Sequence, residues 1–147
     1  MNIHLRQAQI RDIPELISLE KSVSGSKLYS PMLTEEEWSE ALNKNKTYFI
    51  EKGDDIVGEV SFEMKDLSHA YIDGLVVKPA FQGHGIARKA MEIILDELKD
   101  VKKIDLVTHP KNVKAIRLYE SLGFKIEATI EDYFGDGEPR VRMIYNK

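Results

Sequence analysis

The sequence predicts a mixed α/β fold, one sheet of seven strands with four helices packed on it. Three observations carry this reading. The elements run β-α-α-β-β-β-α-β-α-β-β, and such mixing of hairpins with helical crossovers belongs to a mixed sheet. The length of 147 residues suits one domain spanning residues 1–147. Hydrophobic residues make up 42% of the chain, enough for a packed core and against general disorder.

Each element has a local cause. Residues 2–9 read as a strand. Asp12 stands where an N-cap is needed, Pro14 fits the first turn, and Leu16, Ile17 and Leu19 point inward. Residues 22–33 read as a loop. Thr34-Glu35-Glu36-Glu37 has the capping-box spacing, with Thr at the N-cap and Glu at N3, and opens a second helix through Trp38 and Leu42. Its acidic first turn suits the helix dipole and reads as a solvated face. Strands 46–52 and 55–64 flank a Gly53-Asp54 turn and form a hairpin. A strand at 69–78 closes at Pro79. Residues 83–99 carry Ile86, Ala90, Met91, Ile94, Leu95 and Leu98 at helical spacing. A strand at 103–109 stops at Pro110. Asn112 can cap a helix through Leu122, and Gly123 fits the position just past its end. Strands 124–132 and 139–146 surround the Gly135-Asp136-Gly137 turn.

Composition removes several function classes. There are no cysteines, so disulfides, thiolate metal sites and cysteine nucleophiles are excluded. The formal charge of −4 disfavours a nucleic-acid-coating surface. Lys102, Lys103, His109, Lys111, Lys114 and Arg117 do cluster, but a solvated face is the simpler reading. No apolar run approaches the ~20 residues that span a bilayer, and residues 1–6 lack a signal-peptide apolar stretch. The expectation is a cytoplasmic domain without membrane, nucleic-acid or metal partner.

The most informative segment is Leu75-Val76-Val77-Lys78-Pro79-Ala80-Phe81-Gln82-Gly83-His84-Gly85-Ile86-Ala87-Arg88. A strand runs into a loop with two glycines and then directly into a helix. Glycines let the backbone approach a ligand and aim successive N–H groups one way. The helix N-terminus adds partial positive charge, so the passage suits a pyrophosphate. His84, Arg88 and Lys89 can add side-chain charge. A Walker loop would end in Gly-Lys-Ser/Thr, which Ala87-Arg88-Lys89 does not supply. A dinucleotide fingerprint would want a small residue where Arg88 stands and would open the first βαβ unit. The pattern met is Gln-x-x-Gly-x-Ala, by Gln82, Gly85 and Ala87. A second motif follows the next strand, from Asn112 through Leu118-Tyr119 to Gly123-Phe124. Asn112 and Tyr119 lie two helical turns apart and share a face. Taken alone, the pair would also serve as an N-cap and a core tyrosine.

With both motifs in this order and spacing, the chain resembles the GNAT superfamily of acyl-CoA-dependent N-acetyltransferases over essentially its full length. The resemblance implies a mixed, mostly antiparallel sheet of about six to seven strands flanked by four helices and splayed at the cofactor cleft. It implies acetyl-CoA as cosubstrate and no metal. By position, Leu75, Val76 and Val77 would offer backbone groups to the pantetheine arm. Gln82, Gly83, His84, Gly85, Ile86, Ala87 and Arg88 would hold the pyrophosphate. Asn112 would contact the arm, and Tyr119 would sit by the thioester sulfur as a catalytic proton donor.

An amine must be neutral to attack a thioester. A backbone N–H near Val76 or Val77 would stabilise negative charge developing on the carbonyl oxygen. A tyrosine at pKa ~10 gives a proton to a thiolate at ~8.5 only at a cost of ~2 kcal/mol, so Tyr119 acts more as hydrogen-bond donor than as full acid. Several relatives carry a glutamate as base where this chain has Val107. Tyr71 and Asp73, on one face of the strand before the glycine turn, are the two candidate bases. A weak base suits an α-amine, with pKa near ~8, better than a lysine at ~10.4.

The segment from Asp132-Tyr133-Phe134 to Val141-Arg142-Met143 resembles the hairpin of protein N-terminal acetyltransferases and of the related ribosomal-protein alanine acetyltransferases. It departs at Phe134 and at Pro139-Arg140. The resemblance implies that Tyr133 and Phe134 hold the peptide's N-terminal backbone; a hairpin with core aromatics is the alternative. The loop at 22–33 would form the opposite wall, with Leu28, Tyr29 and Met32 as pocket or packing residues. A protein N-terminal α-amine is the first expectation for the acceptor. A small amine such as a polyamine, amino sugar or amino acid, drawn by Glu35, Glu36, Asp73 and Asp132, is the second. A non-catalytic acyl-CoA-binding module is the third. The chain is expected to act as a monomer or homodimer.

Overall fold

In the computed structural model, which describes residues 2–24 and 30–146, seven strands form one sheet in the order β1-β2-β3-β4-β5-β7-β6. The elements are β1 (Ile3–Gln7), α1 (Ile13–Ser22), α2 (Glu35–Lys44), β2 (Lys46–Lys52), β3 (Asp55–Asp66), β4 (His69–Val77), α3 (Ile86–Glu97), β5 (Lys103–Thr108), α4 (Val113–Leu122), β6 (Lys125–Ile130) and β7 (Arg140–Asn146). Only β4 and β5 run parallel, because α3 carries the chain back between them; every other neighbour pair is antiparallel. This is the mixed, mostly antiparallel sheet with four helices that the sequence predicts.

Adjacent strand residues face opposite sides, so Phe49 and Ile50 serve different cores. Phe49 packs with Leu16 and Leu19 of α1 and with Trp38 and Ala41 of α2. Ile50, Val60, Phe62 and Ile72 pack with Met91 and Ile94 of α3 and Tyr119 of α4. The sheet is therefore covered by α1–α2 on one face and α3–α4 on the other.

The helix ends follow their signals, with one exception. The Thr34 hydroxyl accepts the Glu37 backbone N–H at 3.1 Å and donates to the Glu37 carboxylate at 2.9 Å. Asn112 Oδ1 accepts the Ala115 N–H at 3.4 Å, and Gly123 ends α4 at φ +110°. Asp12 occupies the N-cap position but does not cap α1. Its carboxylate accepts the Gln9 backbone N–H at 2.8 Å and secures the preceding turn instead.

Of the boundaries that differ from expectation, two have a local cause. Residues 83–85 stay outside α3, because Gly83 and Gly85 both take φ +79°, a left-handed conformation that no α-helix contains. The last hairpin has a longer connection, residues 131–139. Asp132, at φ +50°, accepts the Gly137 N–H at 2.7 Å, and Asp136 accepts the Glu138 N–H at 2.9 Å. Those side chains satisfy backbone donors that strand pairing would otherwise take.

One irregularity positions the site. The β4–β5 pairing runs from His69 opposite Lys103 to Ile72 opposite Leu106 and stops. At the same point the β3–β4 register steps from Phe62–Ile72 to Ser61–Gly74, leaving Asp73 as the extra residue of a bulge. A bulge bends its strand. Beyond Asp73, β4 keeps β3 as its neighbour and leaves β5, and a gap opens between them.

Candidate active site

The gap is the mouth of a cleft of about 400 Å³, within the size range of small-molecule sites. It is lined from both faces of the sheet. On the α3–α4 side stand the glycine turn, the first turn of α3 and one face of α4. On the α1–α2 side stand Glu20, Glu59 and Asp73.

The glycine turn builds an anion site. Gly85 is the N-cap of α3 and has no side chain to take the first-turn N–H groups, so those donors and the helix dipole are offered to the cleft. Gln82 lines the cleft and its amide donates to the Val77 carbonyl at 2.9 Å, fixing how β4 enters the turn. Arg88 lines the cleft and donates to Ser121 Oγ at 2.6 Å, which ties α3 to α4. The His84 ring lies outside the lining; its Nδ1 is 3.1 Å from the Phe81 carbonyl oxygen. Leu75, Val76 and Val77 line the cleft along the stretch of β4 that has left β5.

Asn112 and Tyr119 both reach the cleft from α4, as their two-turn spacing requires. Tyr119 is 7% exposed, and its ring meets Phe124 edge-on at 5.8 Å. Val107 lines the cleft from β5.

The two candidate bases have different surroundings. Burial first, and the hydrogen bond with Tyr133 second, raise the Tyr71 phenol far above its ordinary value. The two hydroxyls lie 3.5 Å apart, and Lys65 sits over the Tyr71 ring at 5.4 Å. Tyr71 is thus held protonated and lies outside the cleft lining. Asp73 lines the cleft and accepts the Asn45 amide at 2.6 Å. Crowding by the surrounding protein raises its carboxyl, while Lys44 and Asn45 oppose the rise. Asp73 itself stays solvent-exposed, and the water around it limits the effect.

Three cleft residues escape the sequence reading. Glu20 on α1 is buried, and burial pushes its carboxyl up to about 7 against a hydrogen bond from the Met32 backbone. Glu59 on β3 is 2% exposed, and burial first, then Glu20 and Asp73, raise it well above the carboxylate range. The available signal was an acidic residue inside the apolar run Ile56-Val57-Gly58-Glu59-Val60. Arg140 is 2% exposed, donates to Asp136 at 3.1 Å and stacks on Phe134 at 5.1 Å. Phe134 lines the mouth, with Tyr133 edge-on behind it at 4.7 Å. His109, grouped above with a solvated basic face, is instead buried. Its Nδ1 accepts the Lys111 N–H at 3.1 Å, so Nε2 carries the proton given to Glu138 at 2.8 Å. That bond joins the start of α4 to the 131–139 loop. Tyr29 and Leu28 lie outside the described residues. Met32 packs beside the α1–α2 core and accepts the Trp38 indole N–H at 3.1 Å.

Comparison with known proteins agrees with this architecture. A family model described as acetyltransferase (GNAT) matches residues 10–124. The [ribosomal protein bS18]-alanine N-acetyltransferase of Salmonella typhimurium is 35% identical over 105 residues, covering 63% of this chain and 67% of the relative. The spermidine N(1)-acetyltransferase of Escherichia coli is 28% identical over 90 residues, covering 55% and 48%. Several curated relatives are longer proteins, of which the chain spans between 23% and 48%. The crystal structure of the ribosomal-protein-S18-alanine N-acetyltransferase from Escherichia coli superposes with a TM-score of 0.85 at 20% identity, covering 99% of this chain and 94% of the other. A splayed β4, an uncapped α3 behind paired glycines and a family match over most of the chain lead to one conclusion: the chain belongs to the acetyltransferase (GNAT) family.

Proposed function

We propose that this chain, as one acetyltransferase domain, moves an acetyl group from acetyl-CoA to a primary amine, in the first instance the α-amine of a protein N-terminus. The observation that carries the reading is the β4–β5 separation at Asp73. It opens onto the uncapped start of α3 and has Tyr119 in its wall. The residues present fit coenzyme A. The Gly83–Arg88 turn would hold the pyrophosphate, the free edge of Leu75, Val76 and Val77 the arm, and Asn112 its inner end. Bound there, acetyl-CoA supplies the acyl carbon: a C–N bond forms, the C–S bond breaks and coenzyme A leaves as the thiol. Tyr119 holds a proton at its hydroxyl for that sulfur. One backbone N–H, of Val76 or Val77, would face negative charge on the carbonyl oxygen. Phe134 at the mouth, with Tyr133 edge-on behind it and outside the lining, would hold the first residues of the peptide.

A second reading, a polyamine acceptor, draws on the carboxylates of Glu20, Glu59 and Asp73. One assay separates them. Purified chain and its Tyr119→Phe variant are compared for coenzyme A release with N-terminal peptides, lysine peptides and spermidine. The expected result is fastest turnover on N-terminal peptides. Tyr119→Phe should lower kcat by about 10²-fold with little change in acetyl-CoA affinity. Preference for spermidine would favour the second reading, and no turnover on any amine would defeat both.

A further inference from the structure

We propose that Glu59 is the seat of the acceptor's ammonium group. Its carboxylate, flanked by Glu20 and Asp73, receives a primary alkylammonium from the α1–α2 side of the cleft and takes its proton. This rests on the acetyl-transfer reading and adds to it the residue that prepares the amine.

The first argument is placement. Glu59 pairs with Phe49 on one side and with Val76 on the other, so its side chain shares the sheet face that Phe49 turns to α1 and α2. Val76 belongs to the strand edge that would hold the thioester. The acidic wall and the thioester edge are thus cross-strand neighbours. Access is kept open by Gly74, just past the bulge. A β-carbon there would stand 3.7 Å from Glu59 Oε1 and 3.4 Å from Ser61 Oγ, narrowing the approach.

The second argument is the missing partner. Glu59 Oε2 is buried without a hydrogen-bond partner among the described residues, and Glu59 lines the cleft. A buried lone carboxyl is costly, and an apolar side chain would be more stable at this strand position. Asn45 Oδ1, beside Asp73, is buried and unpartnered as well. Among the described residues no Lys, Arg or His makes an ion pair with Glu20, Glu59 or Asp73. No three such side chains are placed to hold a metal ion among the described residues. What fits is a small cation with several N–H donors.

The groups that set the charge of this wall are Glu20 of α1, Glu37 and Lys44 of α2, Glu63 and Lys65 of β3, and Asp73 of β4. Burial and repulsion from Glu20 and Asp73 keep Glu59 protonated in the free site, and an arriving ammonium draws it to the anionic form. One ammonium proton then passes to Glu59 Oε2, leaving a nitrogen lone pair for the acyl carbon. A second proton leaves nitrogen as the C–N bond forms and replaces the one Tyr119 gives to sulfur. Glu59 is then back in its protonated resting form, so the proton it gave to water when the ammonium bound is the one proton each acetyl transfer releases.

The test titrates spermidine and, separately, an alanine-initiated peptide into the full chain by calorimetry, with and without saturating coenzyme A. Two buffers of different ionisation heat report the protons exchanged. Glu59→Gln, similar in shape, is compared with the natural chain. Binding of the ammonium should release protons, and Glu59→Gln should weaken it at least about tenfold and reduce that release. Coenzyme A affinity should stay within about twofold, and the melting temperature should hold or rise, since no internal partner is lost. The tighter of the two amines identifies the source of the ammonium. Equal amine affinity in both chains, or no amine binding by the natural chain, overturns the proposal. Should Glu59→Gln fail to fold, amine binding to the natural chain without proton release overturns it equally. Failure to bind coenzyme A would instead sink the acetyl-transfer reading, while the titrations without coenzyme A still judge the seat.

Discussion

Glu20 shows what one buried carboxyl does to the whole chain. Its carboxyl lies at about 7 in the fold against 4.5 for the ordinary group, because burial penalises the charge and Asp73 and Glu37 repel it. Between those two values the folded state binds more protons than the unfolded state. The stability contributed by this group is complete below pH ~4.5 and is lost as pH rises through ~7. Glu20→Gln stays neutral throughout and removes that slope. The variant should melt above the natural chain at pH 8, by up to about 3 kcal/mol, and the gap should close toward pH 4. Thermal unfolding of both chains from pH 4 to 8 measures this, and a gap that does not change with pH would contradict it. Burial acts the same way on Tyr71: held protonated beside Tyr133, it can orient the loop or donate a hydrogen bond.

The elements matter through their ends. The β4 bulge opens the cleft, the left-handed Gly85 leaves α3 uncapped toward it, and Gly123 returns α4 to the sheet so that Tyr119 faces inward. Gly123 has little freedom to change. It sits at φ +110°, and an added β-carbon would lie 2.7 Å from the Tyr145 ring. Gly123→Ala therefore meets backbone strain and a clash, with an expected loss of about 2 kcal/mol or more. Urea unfolding should show a lower midpoint, with activity reduced through displacement of Tyr119. An unchanged midpoint would mean that the ring and backbone yield at no cost.

At the scale of the whole molecule, what was legible followed from local rules. The Thr34 cap, the Gly53-Asp54 turn and the Asn112–Gly123 helix depend on neighbouring residues alone, and the structure forms each. The strand–glycine–helix passage was legible because its function is written in backbone geometry that only glycine adopts freely. What escaped depends on residues far apart in sequence. Glu20 and Glu59 are 39 positions apart and meet only because α1 crosses β3's face (59 − 20 = 39). Asp73 as a bulge residue is set by the register of β3, which no pattern within β4 reveals. His109 looked like one more surface cation until the 131–139 loop brought Glu138 to it. The acidic wall of the cleft is assembled from such long-range meetings, which is why the family was easier to read than the acceptor we propose.

Everything functional here depends on the passage from Leu75 to Arg88 being shaped for coenzyme A. Isothermal calorimetry of acetyl-CoA into the full chain tests it most directly. The account predicts saturable one-to-one binding, with a Kd between ~1 µM and ~1 mM. It also predicts that Arg88→Ala weakens binding about tenfold through loss of charge beside the phosphates. Absence of binding up to millimolar acetyl-CoA by a folded chain would contradict it.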